Sequence, residues 1–214
     1  MTLFENTFSE FVKAVRSHKI VLNMMDIYKK ETGEPMDLLV AANIRYIIRL
    51  LYDTIEMLDI SADPDMAECG MRFDLGTVSG HLSLEVIVAN RIGGRNYYAI
   101  INMIPWIDTG LIKDDIVMCD IGGGQAEVQH PSSQAVEYRE FLKAGKPAND
   151  SVFYTYAYMY DLIRTSNVDI EKDFIPEIIS QAPVIYAGEE YRFEGLRNLV
   201  LTGNDGMGAL KDLR

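Results

Sequence analysis

Residues 71–104, MRFDLGTVSGHLSLEVIVANRIGGRNYYAIINMI, decide the fold, because here the hydrophobic period becomes two. Met71, Phe73 and Leu75 alternate with polar residues, and Leu82, Leu84, Val86 and Val88 share one side of a longer strand. Gly93-Gly94 can take the positive φ angles of a two-residue hairpin turn. The strand that follows, 97–104, is apolar on both faces, as befits a central position in a sheet. Residues 115–121 and 125–129 read as further strands on either side of Gly122-Gly123-Gly124. The prediction over 71–130 is an antiparallel meander.

On the N-terminal side of a loop at 61–70, the period is helical. Thr7 and Glu10 have capping-box spacing, and Phe8, Phe11, Val12 and Val15 fall on one face behind them. Apolar positions resume at Ile20, Val21, Met24, Met25 and Tyr28 after a break near Ser17-His18, and Gly33 is a C-terminal stop. Pro35 opens a second helix with the stripe Val40, Ile44, Ile47, Ile48, Leu51, Ile55, Leu58. Beyond the sheet, Ser132 or Ser133 caps a helix that ends at Gly145. A second helix is expected from Asp150-Ser151 to about Thr165, and a third over 170–181 with Pro176 inside it. Short strands are expected at 184–186 and 199–201. The fold class predicted is α+β in a single domain, 1–214. A helical pair (1–60) packs on an antiparallel meander sheet (71–130), followed by helices (132–182), then a small C-terminal strand element and tail (183–214).

A chain of 214 residues buries about 70% of its unfolded surface, so no disulfide or metal is needed to hold it. No apolar run approaches the roughly 20 residues of a membrane span, and MTLFENTFSEF carries acids where a signal peptide carries bases. Cys69 and Cys119 lie far apart without a second ligand, which reads as buried free thiols and a cytoplasmic location. The net charge is −12; such a surface repels phosphate backbones, so neither nucleic acid nor a membrane is expected as a partner.

Two aspartates carry the motifs that suggest chemistry. Ile107-Asp108-Thr109-Gly110 resembles the active-site turn of the retroviral-type aspartic peptidases. Gly122-Gly123-Gly124 would stand for their flap and Leu201-Thr202-Gly203 for their late apolar element. That resemblance implies two carboxylates sharing a proton. Leu111 replaces the small residue those enzymes place after the glycine, and Pro105-Trp106 interrupts the preceding strand. Residues 116–124, IVMCDIGGG, resemble the phosphate-binding strand-turn of the actin-like and sugar-kinase ATPases. There Asp120 would orient metal-bound water and the glycine amides would approach phosphate. Gln125 stands where a hydroxyl residue usually lies. His18, His81 and His130 lack a partner at ligand or nucleophile–base spacing. Asp63, Asp65 and Glu68 lack that of a calcium loop, and residues 203–208 read as a mobile tail. No metal and no cofactor is expected.

Residues 152–160, VFYTYAYMY, are the unusual segment. As a strand, Tyr154, Tyr156, Tyr158 and Tyr160 would share one face. The cap at Asp150-Ser151 and the length favour a helix, whose stripe would leave Tyr154 and Tyr158 for a second surface. Tyrosine suits such contacts, since its ring buries area while its hydroxyl stays paired. The expected function is a non-enzymatic, self-associating interaction protein, such as an accessory protein of the kind viruses and phages encode, with these four tyrosines as interface. The alternative is a small hydrolase or nucleotide-binding enzyme built on Asp108 or on the Asp120 glycine loop.

Overall fold

The structure is a computed structural model that describes residues 1–57, 68–78, 81–106, 108–120, 125–144, 151–165, 168–172, 174–193, 195–196, 199 and 202–213. Leu58, Asp63, Asp65, Ile107, Gly122-Gly123-Gly124, Gly145, Asp150 and Leu201 lie outside them.

The chain opens on a strand, β1 (Thr2–Thr7), before the helices α1 (Phe8–Arg16), α2 (Ile20–Thr32) and α3 (Leu38–Met57). Then come β2 (Gly70–Val78), β3 (His81–Ile92), β4 (Arg95–Ile104), β5 (Asp108–Lys113), β6 (Ile116–Asp120), β7 (Gln125–Gln129) and α4 (Pro131–Lys143). β8 (Val152–Met159), α5 (Pro176–Gln181), β9 (Val184–Tyr186) and α6 (Gly206–Asp212) complete the order. The main sheet runs β1-β2-β3-β4-β8-β9, and β5-β6-β7 form a separate three-stranded sheet. Antiparallel pairing joins β1 through β4, whereas β8 is parallel to β4 and β9 parallel to β8.

This corrects the predicted arrangement. The class is α+β, but the order is a strand, then three helices, then a mixed sheet, rather than a helical pair followed by an antiparallel meander. β1 escaped notice because an irregularity between Thr2 and Phe4 breaks its alternation, and only pairing with β2 makes it a strand. The meander holds through the hairpin at Gly93-Gly94, both at positive φ. It stops at β4, whose other neighbour is β8.

Local chemistry explains the helices. Thr7 ends β1 and caps α1, its hydroxyl accepting from the Glu10 N–H. His18, at φ 57°, makes the corner between α1 and α2. Gly33 closes α2 at φ 80°, and the Asp37 carboxylate accepts from the Leu39 N–H at 2.7 Å to start α3. The cap of α4 is His130, not Ser132 or Ser133: its Nδ1 accepts from the Ser132 N–H at 3.2 Å and Pro131 takes the first turn. The helix expected over 170–181 is only α5, because Pro176 fits a first turn and not an interior. Leu199 is helical where a strand was expected. The supposed tail is α6, capped by Asp205, with Ala209 and Leu210 wholly buried. Gly206 has no room for a Cβ, which would overlap the backbone of Cys69 and Gly70.

The sheet is covered on both faces. Phe8, Phe11, Met24, Ile44, Ile48 and Leu51 of α1–α3 pack on Met71, Phe73, Val86, Ile101 and Tyr158. On the other face α4 and α6 bury Ile87, Tyr98 and Ile100 beneath Leu142 and Leu210. The small sheet packs through Val117, Cys119 and Val128 against Ile104, Trp106 and Met159.

Candidate functional site

The register of β5 on β6 makes Asp108 and Asp120 cross-strand partners. The two carboxylates singled out separately in the sequence therefore stand side by side. Asp108 is exposed and its Oδ1 accepts from the Thr109 N–H at 2.8 Å; Asp120 is half-buried. Asp-Thr-Gly begins a strand here and does not form the turn after one. The glycines that would complete either motif lie outside the described residues.

The other reactive residue types have structural surroundings. Burial pushes the Cys69 thiol up to about 12 and, with the Asp120 charge beside it, the Cys119 thiol to about 11. Thiols held so high are poor nucleophiles at neutral pH. Buried His130 is pushed down to about 4 by desolvation, so its neutral ring caps α4 while Nε2 lies 3.1 Å from the Ile170 carbonyl oxygen. Phe174 stacks on it at 3.6 Å between centroids. Among the described residues no group of three His, Cys, Asp or Glu side chains is placed to hold a metal ion.

Sequence reading missed a polar row beneath α4. Asp74, Glu85 and Asn102 are neighbours across β2, β3 and β4, and all three are buried. Burial pushes Asp74 up, but hydrogen bonds from Arg72, from Thr2 at 2.6 Å and from Tyr138 at 2.6 Å outweigh it and hold the carboxyl below its ordinary range. Glu85 has no such set of donors, and desolvation raises it to about 7. In the sequence these positions are the polar half of a strand alternation, which reads as a solvent face; α4 covers it instead.

The tyrosine segment is β8, so its tyrosines do share one face. That face is turned inward: Tyr156, Tyr158 and Tyr160 are buried under the helical layer, and Tyr154 is half-buried with Gly195 against its ring. The Tyr158 hydroxyl donates to Glu190 at 2.6 Å and that of Tyr160 to Asn43 at 3.0 Å.

Exposed apolar area lies instead on α3. Leu38 and Leu39 are 77% and 81% exposed, and Tyr46, two turns on from Leu39 along the same helix face, is 47% exposed. The Tyr46 hydroxyl donates to Asp161 at 3.1 Å, two residues before Ile163, which is 67% exposed. Beside this face a groove of about 440 Å³ opens between the α1–α2 corner and α3. Val15, Val21 and Ile48 form its floor, and His18, Arg45 and Arg49 its rim. Charge is balanced in this part of the chain: residues 1–57 hold eight acids and seven bases, leaving 24 acids against 13 bases for the remaining residues. Comparison with protein-family models, curated proteins and solved structures finds no match to this chain.

Proposed function

We propose that this protein is a non-catalytic interaction module that associates with a second copy of itself through the exposed face of α3. The observation that carries this reading is the set of large apolar side chains, Leu38, Leu39, Tyr46 and Ile163, held outward on a helix and an adjoining turn. Isolated exposed leucines need no explanation, but a set of this size aligned with a groove is the anatomy of a contact surface. The near-neutral helical layer also supports self-association, because two copies meeting there avoid the repulsion of their acidic remainder. A twofold pair is the commonest arrangement for such a surface.

Light scattering on the purified chain at tens of micromolar (about the usual working range) tests the reading. The wild type is expected to run as a dimer or larger, and Leu38→Asp with Leu39→Asp as a monomer of unchanged helical content. A wild type that stays monomeric would remove this function.

One observation favours a second reading, a small hydrolase or nucleotide-binding enzyme: the pairing of Asp108 with Asp120 across β5 and β6. Hydrolysis of a peptide or of ATP that disappears in Asp108→Asn or Asp120→Asn would establish it over the first.

A further inference from the structure

The main sheet is closed with care at one place and left open beside it. β9 is only three residues long and pairs with Ala157–Met159, the last part of β8. In a strand the N–H and C=O of alternate residues point to the same side. The Ala157 N–H donates to the Pro183 carbonyl at 3.1 Å, which fixes the odd-numbered residues of β8 as those facing β9. Thr155 and Phe153 therefore turn their backbone groups the same way. Pro183 comes directly from the end of α5, so β9 has no residues left to meet them. Among the described residues no hydrogen bond reaches the N–H or C=O of Phe153 or Thr155 on that side.

A cleft of about 260 Å³ lies in the missing strand's place, lined by Phe153, Tyr154, Thr155, Gln181, Pro183 and Arg192. The Thr155 hydroxyl, in a residue 2% exposed, has no hydrogen-bond partner among the described residues. The outer edge of β9 provides the contrast. There the Val184 N–H donates to Glu171 Oε1 at 2.9 Å and its carbonyl accepts from Arg192 Nη1 at 3.1 Å. Charged side chains thus block the terminal edge against strand addition, while the neighbouring stretch of β8 keeps its donors and acceptors unpaired.

We propose that this open edge of β8, at Phe153–Thr155, binds an extended peptide segment of a partner protein, which adds as a short strand in line with β9. Main-chain hydrogen bonds to the two outward residues supply the attraction, and alternate side chains supply the selectivity. One side chain of the segment lies against the Tyr154 ring and favours an apolar residue. The next lies on the Thr155 side and favours a hydroxyl or amide that satisfies the orphaned oxygen. Proline is excluded from the positions that pair. The site is separate from the α3 surface, and neither depends on the other.

The test uses the full chain and a phage-displayed library of random octapeptides as probe. Enriched peptides are expected to be proline-free with an apolar–polar alternation. Their binding should slow amide exchange of Phe153 and Thr155 by about tenfold or more, while Tyr154 and Tyr156, on the β4 ladder, change little. Thr155→Pro deletes one outward donor without touching that ladder and should weaken binding by about tenfold, whereas Thr155→Val should retain the backbone contacts. If Thr155→Pro fails to fold, the exchange pattern of the wild type still decides. The proposal is overturned if no peptide is enriched, or if bound peptides leave these two amides unprotected. It is equally overturned if both amides are already protected in the dilute free protein, for then the edge is occupied from within.

Discussion

Glu85 shows how much one buried side chain can reveal about its surroundings. In the unfolded chain its carboxyl titrates at its ordinary value of 4.5, and in the fold desolvation raises it to about 7. Between those values the folded state holds the extra proton, so this group's effect on stability worsens as pH rises and is complete above pH 7. His130 acts with the opposite sign: its folded value of about 4 lies below the ordinary 6.5, so stability is lost as pH falls through that window. Replacing Glu85 by Gln isolates the first effect. Denaturant unfolding should show Glu85→Gln gaining about 3 kcal/mol on the wild type between pH 5 and pH 8. Parallel pH profiles for the two proteins would mean that Glu85 is ionised in the fold. None of this was legible in MRFDLGTV or HLSLEV, where Asp74 and Glu85 occupy the polar positions of an alternating strand. Alternation says which residues share a face; it does not say whether a helix lies over that face.

Elements that change type between sequence and structure are those whose pattern suits two periods. VFYTYAYMY satisfies a helical stripe and a strand alternation alike, and a cap residue tipped the reading toward a helix. The fold makes it β8 because both of its faces are buried, the tyrosines beneath α1–α3 and Phe153, Ala157 and Met159 on the opposite side. Tyr158→Ala should therefore destabilise the subunit by about 3–5 kcal/mol, with loss of the bond to Glu190 adding to the cavity. It should leave the association of the surviving folded fraction unchanged. Thermal melts followed by the fluorescence of buried Trp106, with light scattering alongside, separate those two readouts. A stable but monomeric Tyr158→Ala would return the tyrosines to an interface. The C-terminal segment makes the same point. GNDGMGALKDLR reads as a tail, yet Leu210 is fully buried against Gly70, so Leu210→Ala should cost about 2–5 kcal/mol in a urea titration. A change below about 0.5 kcal/mol, the scale of surface substitutions, would mark α6 as undocked.

The molecule as a whole carries 32 acids and 20 bases, with the imbalance concentrated outside the helical layer. Duplex DNA should give no shift in a gel assay at physiological salt, since there is no surplus of cations to release its counterions. A tight, salt-sensitive complex would contradict the charge argument. No helix among the described residues is long and apolar enough to cross a membrane. By itself, the sequence determined what depends on near neighbours and on totals: the hairpin at Gly93-Gly94, the stops at Gly33 and His18, the three helical stripes, the β9 segment and the acidic balance. Tertiary structure decided what depends on residues far apart in the chain. It made β1 a strand through β2, and β8 a strand through β4. It brought Asp108 beside Asp120, placed α4 over Asp74 and Glu85, and ended β9 early enough to leave Phe153 and Thr155 unpaired. Propensity and period act over a few residues, whereas strand partners and buried charges are chosen by which surfaces the whole chain can cover at once.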